Sequence, residues 1–101
     1  MSYFDFFLWD IDNTPPTLRV CPGSLSGSMS GQSLGVVLSF DVPMAFDNTG
    51  AELTLIKTPP DIDSPYNFTR DTDVSYVFTD PGGNSVSCNF TVSIQGGFMY
   101  A

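Results

Sequence analysis

At 101 residues the chain has room for one small domain with one core and not for a second. Its formal net charge of -8, from 11 acidic residues against Arg19, Lys57 and Arg70, repels phosphate backbones and anionic lipid and so excludes nucleic acid as a partner. The absence of histidine removes the commonest general base and metal ligand, and no apolar run approaches the roughly 18 residues that a membrane-spanning helix needs.

The first predicted element is an aromatic strand in YFDFFLWDID, residues 3 to 12. Phe4, Phe6 and Leu8 share one face of an extended chain, and Phe7, Trp9 and Ile11 share the other. A strand apolar on both faces is normally buried between layers, so this one needs a cover from elsewhere. It does not read as a signal peptide, because it contains Asp5 and Asp10 and lacks both a basic start and a small-residue cleavage site. Asn13 to Pro16 then break the strand, since neither Pro15 nor Pro16 can donate to a ladder. The chain therefore divides into an inter-module or donor strand over 1 to 12, a sandwich over 13 to 96 and a tail over 97 to 101.

TLRVCP gives a short strand ending at Cys21, and the serine- and glycine-rich stretch from Gly23 to Ser33 reads as a mobile, turn-rich connection. Leu34, Val36, Leu38, Phe40 and Val42 alternate with less apolar neighbours, predicting a half-buried strand closed by Pro43. A further strand is expected over Glu52 to Thr58, with Leu53 and Leu55 on one face, and TPPDIDSP reads as loop. Val74, Tyr76 and Phe78, then Val86, Cys88, Phe90, Val92 and Ile94, alternate on either side of a tight connection from Asp80 to Asn84. That pattern predicts an antiparallel hairpin with one buried face. With no helical period anywhere, these short strands predict an all-β antiparallel sandwich. A bridge between Cys21 and Cys88 would tie its ends together and fits an oxidising compartment; two free core thiols are the alternative.

From Asp12 to Ile94 the chain resembles a hyalin repeat, or HYR domain, an immunoglobulin-like module of extracellular adhesion and matrix proteins. The residues that carry the resemblance are DNTPPTLRVCP, LSFDVP, AFDNTG, VSYVFTD, PGGN and VSCNFTVSI, in that order. The pattern departs at NFTRDTD, where the family usually has a Phe-Pro-x-Gly turn. The resemblance implies a non-enzymatic, secreted or cell-surface building block, commonly found in tandem. It names no ligand.

Several constellations bear on chemistry. Asn67-Phe-Thr69 and Asn89-Phe-Thr91 are acceptor sequons for glycosylation, with Asn67 expected in a loop and Asn89 on the outward face of the last strand. Asp10, Asp12, Asp47, Asn48, Asp80 and Asn84 supply oxygen ligands of the kind Ca²⁺ takes, although such residues before turns more often bond their own backbone. No other cofactor is indicated. The carboxylate pairs Asp61 with Asp63 and Asp71 with Asp73 lie in loops without apolar shielding to separate their pKa values, so no catalytic residue is assigned and an enzyme is not expected.

Two functions fit these features. One is a structural or adhesion module that joins other copies of itself, or tandem HYR-like neighbours, into matrix or filaments. In it, residues 4 to 11 are either the end strand of a preceding repeat, with Phe4, Phe6 and Leu8 matching Phe90, Val92 and Ile94, or a strand donated to another molecule. A fold-back onto the same domain as an extra edge is the simpler alternative. The second function is a cell-surface module recognising protein or glycan within a longer multidomain receptor.

Overall fold

The computed structural model describes residues 14 to 30 and 34 to 96. The aromatic segment with its assembly residues Phe4, Phe6, Phe7, Leu8, Trp9 and Ile11, the acids Asp10 and Asp12, and the tail from residue 97 lie outside the described residues.

The described chain is all strand and turn. In order the strands are β1 Thr17–Val20, β2 Leu25–Ser28, β3 Val36–Leu38, β4 Met44–Phe46, β5 Thr54–Thr58, β6 Tyr66–Phe68, β7 Thr72–Thr79 and β8 Ser85–Gln95. One layer is a four-stranded sheet in the order β2-β8-β7-β5. Facing it are the ribbons β1-β4 and β3-β6, both antiparallel. Leu18, Leu38, Ala45 and Tyr66 of the ribbons pack on the buried side chains of the sheet, which makes the whole an immunoglobulin-like sandwich.

The β7-β8 hairpin forms as its alternation predicts. Residues Thr72 to Thr79 pair with Val92 to Ser85, so that Val74 stands opposite Phe90, Tyr76 opposite Cys88 and Phe78 opposite Val86. Paired residues share a face, and this face is the core. Phe40 covers it from the other layer, with its ring centroid 5.4 Å from that of Phe90. Cys88 is bonded to Cys21, just beyond β1, with the Cα atoms 5.6 Å apart. The bridge thus joins the two layers and closes a loop of 67 residues.

Elsewhere the structure corrects the sequence reading. The Gly23 to Ser33 stretch contains a strand: β2 runs parallel to the end of β8, pairing Leu25 with Val92 through Ser28 with Gln95. Serine and glycine have low strand preference, and the pairing here is imposed by the edge of β8 that faces away from β7, which offers Val92 to Gln95 as a partner. Gly27 has a packing reason as well, because a Cβ there would lie 2.8 Å from Val36 Cγ1, closer than β3 could tolerate. The strand expected over residues 34 to 42 shrinks to β3, since its partner β6 is only three residues long. Past β3 the Phe40 amide donates to Ser64 Oγ at 2.8 Å and leaves the ladder. Asn67 lies in β6, opposite Val37, rather than in a loop. The TPPDIDSP loop is irregular as expected, with cis bonds before Pro59 and Pro65, yet it delivers Ile62 into the core. A hydrogen bond from the Ile62 amide to the Pro59 carbonyl at 3.0 Å and another from Lys57 Nζ to the Ile62 carbonyl at 2.9 Å hold it there.

Tyr76 is 1% exposed, and its hydroxyl has no hydrogen-bond partner within the protein. Burial, reinforced by the negative charge of Asp63, raises its pKa above the ordinary tyrosine value of 10.0. A raised pKa means that the folded state holds the proton more tightly than the unfolded state. Its stabilising contribution is therefore complete below pH 10 and is lost as pH climbs through and beyond that value.

Two expectations follow. Reducing the Cys21–Cys88 bond should cost roughly 4 kcal/mol of unfolding free energy by the chain-entropy relation, measured as a fall in the denaturant midpoint. Tyr76→Phe should stabilise the domain by on the order of 1 kcal/mol, by removing an unpaired buried hydroxyl, and should lessen the loss of stability above pH 10 in alkaline unfolding curves.

Candidate functional site

The two acidic motifs of the sequence close turns. Asp80 and Asn84 form the connection between β7 and β8: the Asp80 amide donates to the Asn84 carbonyl at 2.9 Å and the Gly83 amide donates to the Asp80 carbonyl at 3.0 Å. The Asp80 carboxylate accepts the Asn84 amide at 2.9 Å on Oδ1 and Asn84 Nδ2 at 3.2 Å on Oδ2. Gly83 supplies the positive φ of 90° that the turn requires. Asp47 organises the turn after β4 in a similar way. Its Oδ2 accepts the Thr49 amide at 3.0 Å and the Thr49 hydroxyl, while the Gly50 amide, at a φ of 81°, donates to the Asp47 carbonyl at 2.9 Å. Both aspartates are 4% exposed. Asn48 sits in the exposed part of the Asp47 turn. Among the described residues no three acidic or cysteine side chains gather as metal ligands.

Of the carboxylate pairs expected in loops, Asp73 lies instead in β7, opposite Thr91, and the other three accept hydrogen bonds. Asp61 Oδ1 accepts the Tyr66 hydroxyl at 3.2 Å, Asp63 Oδ1 accepts the Ser64 amide at 2.9 Å, and Asp71 Oδ1 accepts the Ile94 amide at 2.7 Å. Burial and the hydrogen bond to Asp61, with its charge, raise the Tyr66 pKa. Of the sequon asparagines, both are exposed. Asn89 Nδ2 donates to Ser87 Oγ at 3.2 Å on the outer face of β8. The Asn67 amide lies flat over Gly35, where any Cβ would collide with it.

Two concavities remain. A shallow hollow of about 340 Å³ is lined by the outer polar side chains of β7 and β8, among them Asp73, Ser75, Asn89 and Thr91, with Ser24 at its edge. The larger, of about 470 Å³, opens between β4 and β5 and is apolar, lined by Ala45, Phe46, Leu53, Leu55 and Phe78 with Asp47 at one end. Among the described residues β5 is the last strand of its sheet and β4 pairs only with β1, so two strand edges border this cleft. Leu55 stands opposite Phe78 and shares its inward face. Phe78 is 6% exposed whereas Leu55 is 43% exposed, because no side chain of the opposite ribbon covers it. On the outer side of the same strand Ile56 is 61% exposed, and across the cleft Phe46 is 43% exposed with the Arg19 guanidinium 5.2 Å from its ring centroid. Sequence reasoning found the Leu53 and Leu55 alternation, and it missed that the face so marked is only half covered.

The HYR domain model matches residues 11 to 94. The chain belongs to the HYR domain family. It is 31% identical to Hyalin of Lytechinus variegatus over 87 residues, covering 84% of this chain and 16% of that protein. Against Hyalin of Strongylocentrotus purpuratus the identity is 30% over 84% of this chain and 7% of that protein. The Sushi, von Willebrand factor type A, EGF and pentraxin domain-containing protein 1 of Rattus norvegicus is 29% identical over 73% of this chain and 2% of its own length. The HYR domain therefore spans a sixth or less of these curated relatives. No solved structure matches. Within this HYR domain the bridge joins the residue after the first strand to the last strand, so it pins a different pair from the B–F bridge of antibody domains.

Because the Asp80 carboxylate accepts two hydrogen bonds of its turn, Asp80→Ala should lower unfolding free energy by about 1 to 3 kcal/mol, read from chemical denaturation. With both Asp80 carboxylate oxygens and Asp47 Oδ2 bonded within their turns, and Asp47 Oδ1 buried without a hydrogen-bond partner, millimolar Ca²⁺ should leave the unfolding temperature of the domain unchanged; a rise would mean that Asp10, Asp12 or both complete a site with them.

Proposed function

We propose that the chain is a non-enzymatic, extracellular structural and adhesion module that associates with neighbouring copies or tandem repeats, through strand and end-to-end contacts, to build matrix or filaments. HYR domains are extracellular adhesion-type modules, and no described helix is long and apolar enough to cross a membrane. The observation that carries the finer reading is the uncovered β5 edge. Leu55 and Ile56 put apolar surface on both sides of a strand that, among the described residues, has a neighbour on one side only. Such an edge is a template for another strand, and proteins usually blunt it with charge or proline. The one charged residue of β5, Lys57, is turned to the Ile62 carbonyl instead. Residues 3 to 12, separated from the domain by Pro15 and Pro16, supply an apolar segment of strand character for such contacts.

The second reading, a ligand-binding module in a longer receptor, is favoured by the hollow around Asp73, Ser75, Asn89 and Thr91, whose hydroxyl, amide and carboxylate groups suit hydrogen bonding to a glycan. Glycosylation at Asn89 would occupy the same face, and Asn67 offers a second exposed acceptor on β6. Extracellular proteins remain partners in either reading.

Removal of residues 1 to 12, followed by sedimentation across a range of concentrations, tests the assembly reading. Loss of concentration-dependent association on truncation is the expected result. If the full and truncated chains are both stable monomers of equal compactness, the module does not assemble through this segment.

A further inference from the structure

The cleft between β4 and β5 has a definable occupant. We propose that it receives residues 3 to 12 of a second copy of this chain as an added strand, hydrogen-bonded to the free edge of β5. The proposal rests on the assembly reading above and names its acceptor.

The faces of the two partners correspond. An added strand on β5 must be apolar inward, where Leu53, Leu55 and Phe78 line an unfilled cavity of about 470 Å³, and apolar outward, where Ile56 is 61% exposed. Few strands are apolar on both sides, and residues 3 to 12 are. Phe4, Phe6 and Leu8 are spaced to enter the cleft, and Phe7, Trp9 and Ile11 to lie over Ile56. Main-chain bonds to β5 would extend the sheet to five strands from the present order β2-β8-β7-β5.

The donor is a second copy because of how β1 begins. Thr17 pairs with Phe46 at the end of β4, so the chain before Thr17 passes the Asp47 turn on the side of β4 that β1 already occupies. Reaching its own cleft would require a reversal around the turn that leads from β4 to β5. Pro16 is buried against the domain, and Pro15 and Pro16 both fix φ near −65° and favour extended chain, which opposes a reversal at that point. Each copy then offers one donor and one acceptor at different places, a head-to-tail contact that propagates without closing.

The test uses two full-length variants. A donor-deficient chain carries Phe6→Asp with Trp9→Phe; an acceptor-deficient chain carries Leu55→Asp and retains Trp9, the single tryptophan of the sequence. Because Leu55 is already 43% exposed, the substitution leaves the core intact, which far-ultraviolet circular dichroism checks, and Ile56→Asp serves as a second acceptor variant. Each variant alone should self-associate about tenfold or more weakly than the parent chain. Their equimolar mixture should form dimers and stop there, with a blue shift in Trp9 emission on mixing. If the Leu55→Asp and Ile56→Asp chains assemble as the parent does, the cleft is not the acceptor, while the assembly reading stands. A parent chain that is monomeric at every concentration with Trp9 exposed to water overturns both. Trp9 shielded in a monomer, independent of concentration, would place the segment on its own domain and overturn the second-copy donor.

Discussion

The register of β7 against β8 is the constraint on which the rest of the domain depends. Asp80 and Asn84 close the connection so that Thr79 meets Ser85, and from that starting point the alternation places Val74, Tyr76, Phe78, Cys88, Phe90 and Val92 on one face. A slip of β8 by one residue would turn Cys88, Phe90 and Val92 to the face opposite Val74, Tyr76 and Phe78 and carry Cys88 away from Cys21. The ribbons have little pairing of their own, with β3 and β6 at three residues each, and are held by what they set down on this face: Leu38 and Phe40 from one side, Leu18 and Ala45 from the other. The bridge from Cys21 to Cys88 reinforces the same face by fastening the opposite layer to its centre.

Legibility in the sequence follows from the source of each element's information. The β7-β8 hairpin and the disulfide were legible because period-two alternation and a tight turn are local signals, and because Cys88 falls in phase with the buried residues. β2 was not, since Leu25 to Ser28 is a strand only because the edge of β8 away from β7 offers Val92 to Gln95 as a partner, a contact far away in the chain. Ile62 was hidden for a related reason. It lies in a segment whose prolines and aspartates truly form a loop, and only the Pro59 turn and Lys57 direct it inward. For the acidic motifs, the sequence was legible as oxygen-rich turns, and in each of them one carboxylate oxygen accepts a backbone amide of the turn. The cleft could not be read at all, because alternation marks which way Leu55 points and says nothing about whether another layer reaches it.

The two ends of the four-stranded sheet are unlike each other. β2 ends it with serine and glycine, and its Gly27 is pressed against Val36 and Leu38, so that edge carries little apolar side-chain surface. β5 ends it with Leu55 and Ile56 exposed beside a cavity. A sheet of this kind can gain an apolar strand on one edge only. One-sided growth fits a module with a single donor segment, since an equally adhesive β2 edge would lead to branched aggregates.

Charge sets the conditions under which such an edge is tolerable. Two copies at −8 each repel one another over distances comparable with the Debye length, which is about 8 Å at physiological ionic strength and about 30 Å at 0.01 M salt. Strand addition acts at contact and is indifferent to screening, whereas the repulsion that opposes approach falls as salt rises. If copies associate through the β5 edge as proposed, their association should therefore strengthen as salt rises. Within the described residues most aspartates stand in turns and loops, Asp73 in β7 excepted, and none lies in β5, so the negative charge of the domain is kept off the strand whose edge is apolar.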